Sequence, residues 1–216
     1  GKKMHAKLEE KGLIGLAYYE LGFRHLTNGK RAINKVSDIE GLKLRVIPNP
    51  INVDWVKALG ANPTPLPWPE VYAALEQGAV DGQENPIPTI NSAKLYEVQK
   101  HMALTAHQYN PQSVIISKKF WDTLNAAEKK VVADAATESA KFQRETARNL
   151  EASLLANLKK NGMQVTQLPE SEMAILRDKM RPVTAKHGVN VGQDMVKELQ
   201  AEIDKVRSAA SAKKSK

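Results

Sequence analysis

A chain of 216 residues, 42% hydrophobic and 26% charged, is long enough to bury one large or two small cores and too apolar for wholesale disorder. The absence of cysteine excludes a disulfide framework, a thiolate zinc site, iron–sulfur ligation and a cysteine nucleophile. Lys and Arg number 32 against 24 Asp and Glu, a net charge of +8, which admits nucleic acid, an anionic membrane or acidic small ligands as partners until its placement is read.

Gly1 to Lys11 carries basic residues with no apolar segment behind them, so it is not an export signal. It reads as a helix entered without a cap, in a chain that begins inside an element. Gly12 to Tyr19 is an apolar run of strand length, bounded by Gly12 and Gly22. Ser37 and Glu40 suit a one-turn capped helix. Lys43 to Ile47 reads as a strand stopped by Pro48-Asn49-Pro50. Asn52 to Leu59 suits a helix with Gly60 as its stop, and Pro63, Pro65, Pro67 and Pro69 at alternate positions predict a stiff extended spacer.

Glu70 to Gln77 carries Val71, Ala74 and Leu75 on one helical stripe that ends at Gly78. A further helix is expected over Ser92 to Val98, with strands at Met102 to Ala106 and Ser113 to Ser117. From Asn125, a capping residue with Glu128 three positions on, a helical period runs without proline or glycine to Asn161. A helix on the order of 55 Å long exceeds what one compact domain needs and should tie two lobes together. Gln164 to Leu168 offers one more strand, and Ser171 to Met180 and Val191 to Val206 two closing helices. Strands alternating with helices predict an α/β fold with mostly parallel pairing. The last twelve residues, from Lys205, hold five cations and no acid, so much of the charge excess belongs to a solvated basic tail. Aromatic residues, at 5%, are too sparse for the stacking platforms of a single-strand nucleic-acid binder.

Arg45 is the most informative position. A guanidinium within an apolar strand is costly to bury unless it meets an anion, either a structural carboxylate or a ligand beyond the strand's carboxyl end. Asn85, held extended by Pro86, is either an ordinary loop amide or a fixed donor to a ligand oxygen. Trp68 is either a core plug or an aromatic wall, and Arg24 follows the first strand as a second strand-end cation. The five histidines show no metal-binding spacing, and no phosphate loop, serine elbow or paired-carboxylate signature occurs. An enzyme using Glu84 as a base on a keto acid is the weaker alternative, as is a basic interaction protein acting through the tail.

Five ordered blocks carry a resemblance: Gly22-Phe-Arg-His-Leu-Thr-Asn, Gly41-Leu-Lys-Leu-Arg-Val, Trp55-Val-Lys-Ala-Leu-Gly-Ala-Asn-Pro-Thr-Pro, Glu70-Val-Tyr-Ala-Ala-Leu-Glu-Gln-Gly-Ala-Val-Asp-Gly-Gln-Glu-Asn-Pro and Lys94-Leu-Tyr-Glu-Val-Gln-Lys. From about Leu8 to about Val206 the sequence resembles the solute-binding proteins of tripartite ATP-independent periplasmic (TRAP) transporters, of the DctP type. The resemblance implies a periplasmic protein of two α/β lobes bridged by a long helix, which captures a small organic acid by lobe closure and delivers it to the membrane permease, without catalysis, cofactor, metal or nucleic acid. Arg45 then clamps the ligand carboxylate, Asn85 hydrogen-bonds it, Arg24 is a second cationic contact, Trp68 lines the pocket, and Asn49 and Asn52 tune selectivity. Family members are about half as long again, so the expected division is 1–22 as the remainder of lobe I and a crossover strand, 23–109 as lobe II, 110–150 as the lobe I return and long helix, 151–207 as the end of that helix with lobe II and closing helices, and 208–216 as a disordered basic tail. An absent N-terminal part of lobe I, with its export signal, or an oligomer partner would complete the cleft.

Overall fold

The structure, a computed structural model, describes residues 1–214. In chain order the elements are α1 (Lys2–Ala6), β1 (Leu13–Asn28), β2 (Lys43–Val46), α2 (Pro50–Ala58), β3 (Asn62–Pro65), α3 (Val71–Glu76), β4 (Gly82–Pro86), α4 (Ile87–Ser92), β5 (His101–Ser117), α5 (Lys118–Trp121), α6 (Ala126–Lys160), β6 (Gln164–Gln167), α7 (Glu170–Val191) and α8 (Gln193–Lys214). The fold is α/β, as expected. Its six strands form one sheet in the order β3-β2-β4-β1-β5-β6.

Pairing is mixed rather than mostly parallel. β2 lies parallel to β3 and β4, and β5 parallel to β6, but β1 runs antiparallel to both β4 and β5. β1 and β5 are also far longer than their apolar cores suggest: β1 continues through Gly22, which adopts φ +103°, to Asn28, and β5 joins the two strands expected at Met102 to Ala106 and Ser113 to Ser117. Arg24 therefore sits inside a strand, not beyond its end. The proline run is likewise not a spacer. Its first half is β3, which pairs only with β2 and so lies at the sheet edge, where the missing proline donors cost nothing. Of the helix expected over Ser92 to Val98 only a 3-10 turn, Leu95–Glu97, forms; the regular helix α4 precedes it, entered directly from Pro86 with Pro88 in its first turn.

Two cores sandwich the sheet. Leu26, Leu44 and Val46 pack under Trp55 and Val56 of α2 and Leu176 and Val183 of α7. On the other face Val71, Leu75, Ile87, Ile90 and Met102 pack against Leu158 near the end of α6. Gly82 lies where β2, β4 and β1 meet, and a β-carbon there would stand 2.2 Å from the Thr27 carbonyl oxygen and 3.0 Å from a Leu44 methyl. Because the first of these is fixed backbone, Gly82→Ala should destabilise the fold by about 1–3 kcal/mol. Urea denaturation checks this, and a loss under about 0.5 kcal/mol would show that the strands can part at no cost.

β4 reaches β1 only from Arg24 to Asn28, and β6 reaches β5 only from His101 to Leu104. Beyond those limits β1 and β5 continue as a two-stranded ribbon, Leu13 to Gly22 against Asn110 to Ser117. α6 begins with the expected capping box of Asn125 and Glu128 and spans 35 residues, about 52 Å. It is tied to the ribbon near the point where the full sheet begins. The Gln143 amide bonds both the N–H and the carbonyl of Glu20, at 2.8 Å each, and Arg148 Nε meets the Glu20 carboxylate at 2.7 Å. The tail expected to be disordered from residue 208 is instead helical through Lys214; positions 215 and 216 of that expectation lie outside the described residues.

Candidate functional site

On β2, Leu44 and Val46 enter the core beneath α2 and α7, so strand alternation turns Arg45 to the opposite face. There it is only 2% exposed. Its Nε donates to the Leu66 carbonyl at 2.9 Å, and its guanidinium carbon lies 5.7 Å from the centre of the Trp68 ring, which is itself 42% exposed. Among the described residues no carboxylate comes within 4.0 Å of it, and neither terminal nitrogen donates to a protein acceptor. Among the same residues the one buried side-chain polar atom without a partner is His101 Nδ1. The terminal nitrogens of Arg45, unbonded, therefore keep access to solvent. Burial pushes the Arg45 pKa down, the Glu84 carboxylate pulls it up, and Arg24 lowers it again. A desolvated cation without a counterion is a site that stabilises an arriving anion.

Arg24 has the opposite character. It is 3% exposed and its guanidinium is taken up by Glu84, itself 2% exposed: Nε to Oε2 at 2.5 Å, Nη2 to Oε1 at 2.9 Å and Nη2 to the Glu84 carbonyl at 2.8 Å. Nη2 also donates to Asn85 Oδ1 at 3.0 Å, and Nη1 to Asn110 Oδ1 at 3.3 Å. The resemblance implied a second cationic contact at Arg24; the structure shows its guanidinium paired with Glu84, with one Nη1 N–H left over. His107 Nε2 approaches Glu84 Oε2 at 3.2 Å, while its Nδ1 lies 2.7 Å from Thr105 Oγ1. Burial alone would raise the Glu84 carboxyl. The hydrogen bonds from His107 and Arg24 outweigh it and hold the group below its usual range.

Asn85 is fixed from both ends. Its Oδ1 accepts from Arg24, and its Nδ2 donates to Gln83 Oε1 at 2.6 Å, leaving one amide N–H over. Behind it Gln83 donates to Thr27 Oγ1 at 2.8 Å, and that hydroxyl donates to Gln99 Oε1 at 2.9 Å. The amide is thus oriented before any ligand arrives. Asn49 and Asn52, by contrast, serve α2. Asn49 Oδ1 caps the helix by accepting from Ile51 N at 3.0 Å, and Asn52 Oδ1 accepts from Trp55 Nε1 at 3.2 Å. The structure therefore brings Arg45, Trp68, Arg24 and Asn85 to the carboxyl ends of β2 and β4, and spends Asn49 and Asn52 locally. A cavity of 430 Å³ between β1, α4 and α6, lined by Tyr19, Leu21, Pro88, Phe142 and Leu150, includes none of the six.

Sequence reasoning passed over the histidines because their spacing fits no metal. His107 reaches Glu84 through a register shift in β5 opposite Arg24 and Leu26, where Ala106 adopts a left-handed φ of +41° and donates its N–H to His25 Nδ1 at 3.1 Å. A left-handed alanine costs about 1–2 kcal/mol, and no local sequence signal announces it. Burial, and then the neighbouring His107, pushes the His25 pKa from 6.5 down to about 4. The folded state then binds this proton later than the unfolded state does, so His25 withdraws stability as pH falls from 6.5 toward 4. The full loss below that window is about 3 kcal/mol. His25→Asn, whose Oδ1 can take the place of Nδ1, should flatten the melting temperature between those pH values; an unchanged acid slope would place the titration elsewhere.

The sheet, the two flanking cores and the strand-end arginine define an α/β solute-binding protein. Residues 1–189 match the family described as bacterial extracellular solute-binding protein, family 7 (DctP), and the chain belongs to it. It is 51% identical, with a TM-score of 0.90, to a TRAP periplasmic solute-binding protein from Ochrobactrum anthropi whose C-terminus is bound in the ligand-binding pocket, covering 97% of this chain and 65% of that one. A TRAP solute-binding protein from Polaromonas, bound to D-erythronate, is 44% identical with a TM-score of 0.85 over 93% of this chain and 66% of its own. The sialic acid-binding periplasmic protein SiaP of Vibrio cholerae is 41% identical over 81% of this chain and 54% of its length. The chain thus spans between half and two thirds of these relatives.

Proposed function

We propose that the chain forms the anion-holding part of a TRAP-transporter solute-binding protein, which captures a small organic acid outside the cytoplasm, in the periplasm, and passes it to a membrane permease. The observation that carries this reading is the buried Arg45 guanidinium, which among the described residues has both terminal nitrogens unbonded and no carboxylate within 4.0 Å. The relatives support it: erythronate, sialic acid and a protein's own C-terminus each present a carboxylate. Residues 1–22 and 110–150 contribute to one lobe and 23–109 and 151–207 to the other, with the β1/β5 ribbon and α6 crossing between them. An acid bridging the lobes stabilises the closed state more than the open one and so drives closure. The ligand leaves unchanged, since the site orients and neutralises an anion and does no chemistry on it.

A ligand that binds only the folded protein raises its melting temperature. Small hydroxy acids should do so in a saturable way, whereas the neutral polyol erythritol should not. Equal shifts with both, or none with any acid, would contradict the reading.

A further inference from the structure

We propose that the acid held at Arg45 carries one carboxylate rather than two, an inference that rests on the carboxylate reading above. Among the described residues three Asp, Glu, Lys or Arg side chains are buried: Arg24, Arg45 and Glu84. Two of them cancel. Arg24 and Glu84 form a pair through the Nε/Nη2 edge of the guanidinium and both carboxylate oxygens, with His107 Nε2 3.2 Å from Glu84 Oε2. His25 is buried, accepts from Ala106 N–H and stays neutral at physiological pH. Of these three side chains the one left unpaired is the cation Arg45.

One carboxylate on Arg45 brings the buried site to neutrality with two parallel charge-assisted hydrogen bonds from the terminal nitrogens. A second carboxylate within the same shell would find no unpaired buried cation among the described residues, and the Glu84 carboxylate repels it. Arg24 cannot serve both partners. While Glu84 holds it, the pair offers the ligand a spare N–H from Nη1, and Asn85 offers one amide N–H; both suit a hydroxyl or carbonyl oxygen. The selectivity of the lobe thus turns on Glu84: it converts what would be a two-cation site into a site for one negative charge flanked by neutral donors.

D-erythronate and meso-tartrate share a four-carbon dihydroxy skeleton and differ at the last carbon, CH₂OH against a carboxylate. Calorimetric titration at pH 8 and 0.15 M salt, where long-range attraction to the protein's +8 charge is screened, should show erythronate bound at least tenfold more tightly, and Arg45→Ala should abolish both signals. Tartrate binding as tightly or more tightly, still dependent on Arg45, would overturn this inference while leaving the carboxylate reading intact. No Arg45-dependent binding of either acid would overturn both. Glu84→Gln keeps the shape and an acceptor for Arg24 but releases its charge, and should narrow the erythronate preference severalfold or reverse it. A folded Glu84→Gln variant with an unchanged ratio would contradict the countercharge account, and if the variant does not fold the wild-type ratio decides alone.

Discussion

Arg45→Ala is expected to abolish carboxylate binding at a cost of about 2–5 kcal/mol, the range for truncating one member of a desolvated, hydrogen-bonded charge pair. Stability should move the other way. In the unliganded fold this guanidinium is buried with one hydrogen bond, to Leu66, and among the described residues no carboxylate within 4.0 Å, so it costs solvation that the Trp68 ring and the more distant Glu84 return only in part. Arg45→Met, which fills the same volume beside Trp68 without the charge, should therefore melt at the same temperature as the parent or higher while binding nothing. Thermal unfolding and titration of the same sample separate the two effects. A drop of several degrees in Arg45→Met, with affinity retained, would mark the residue as structural.

Arg24→Ala should do the reverse and unfold the lobe. It strips Glu84 of three of its contacts and leaves a buried carboxylate facing His107 alone, which is expected to cost about 3–5 kcal/mol. The paired change of Arg24→Met with Glu84→Leu removes both charges together and should recover much of that loss, so the double-mutant cycle should show strong coupling. Acid should mimic the disruption in the parent. Because the folded Glu84 carboxyl is held below its ordinary range, its contribution is complete above that range and is lost as pH falls through the lowered folded value. This lies on the acid side of the His25 window, so the two groups should withdraw stability in succession. Urea midpoints of the single and double variants test the pair. A loss under about 1 kcal/mol for Arg24→Ala would mean that water replaces the guanidinium.

What could be read in the amino-acid sequence was local. The Asn125 capping box and an uninterrupted 3.6 period placed α6 to within a residue, and the Pro48-Asn49-Pro50 break correctly ended β2 just beyond Arg45. Pairing across the sheet was not legible in this way. The Arg24–Glu84 contact joins positions 60 apart, and only the antiparallel register of β1 against β4 brings them together. Strand length misled for the same reason: Gly22 looks like a terminator, but a long partner in β5 carries β1 through it. Exposure separated the two arginines least well. Each lies among apolar neighbours in sequence, and only the position of one carboxylate, Glu84, distinguishes a neutralised cation from an open one.

The Arg45 guanidinium can be observed by ¹⁵N NMR, with its signals assigned by their loss in Arg45→Lys. On titration with D-erythronate those signals should shift saturably while the Arg24 signals stay near their Glu84-paired positions. Arg45 signals that stay fixed while Arg24 or another cation responds would show that the acid is held elsewhere.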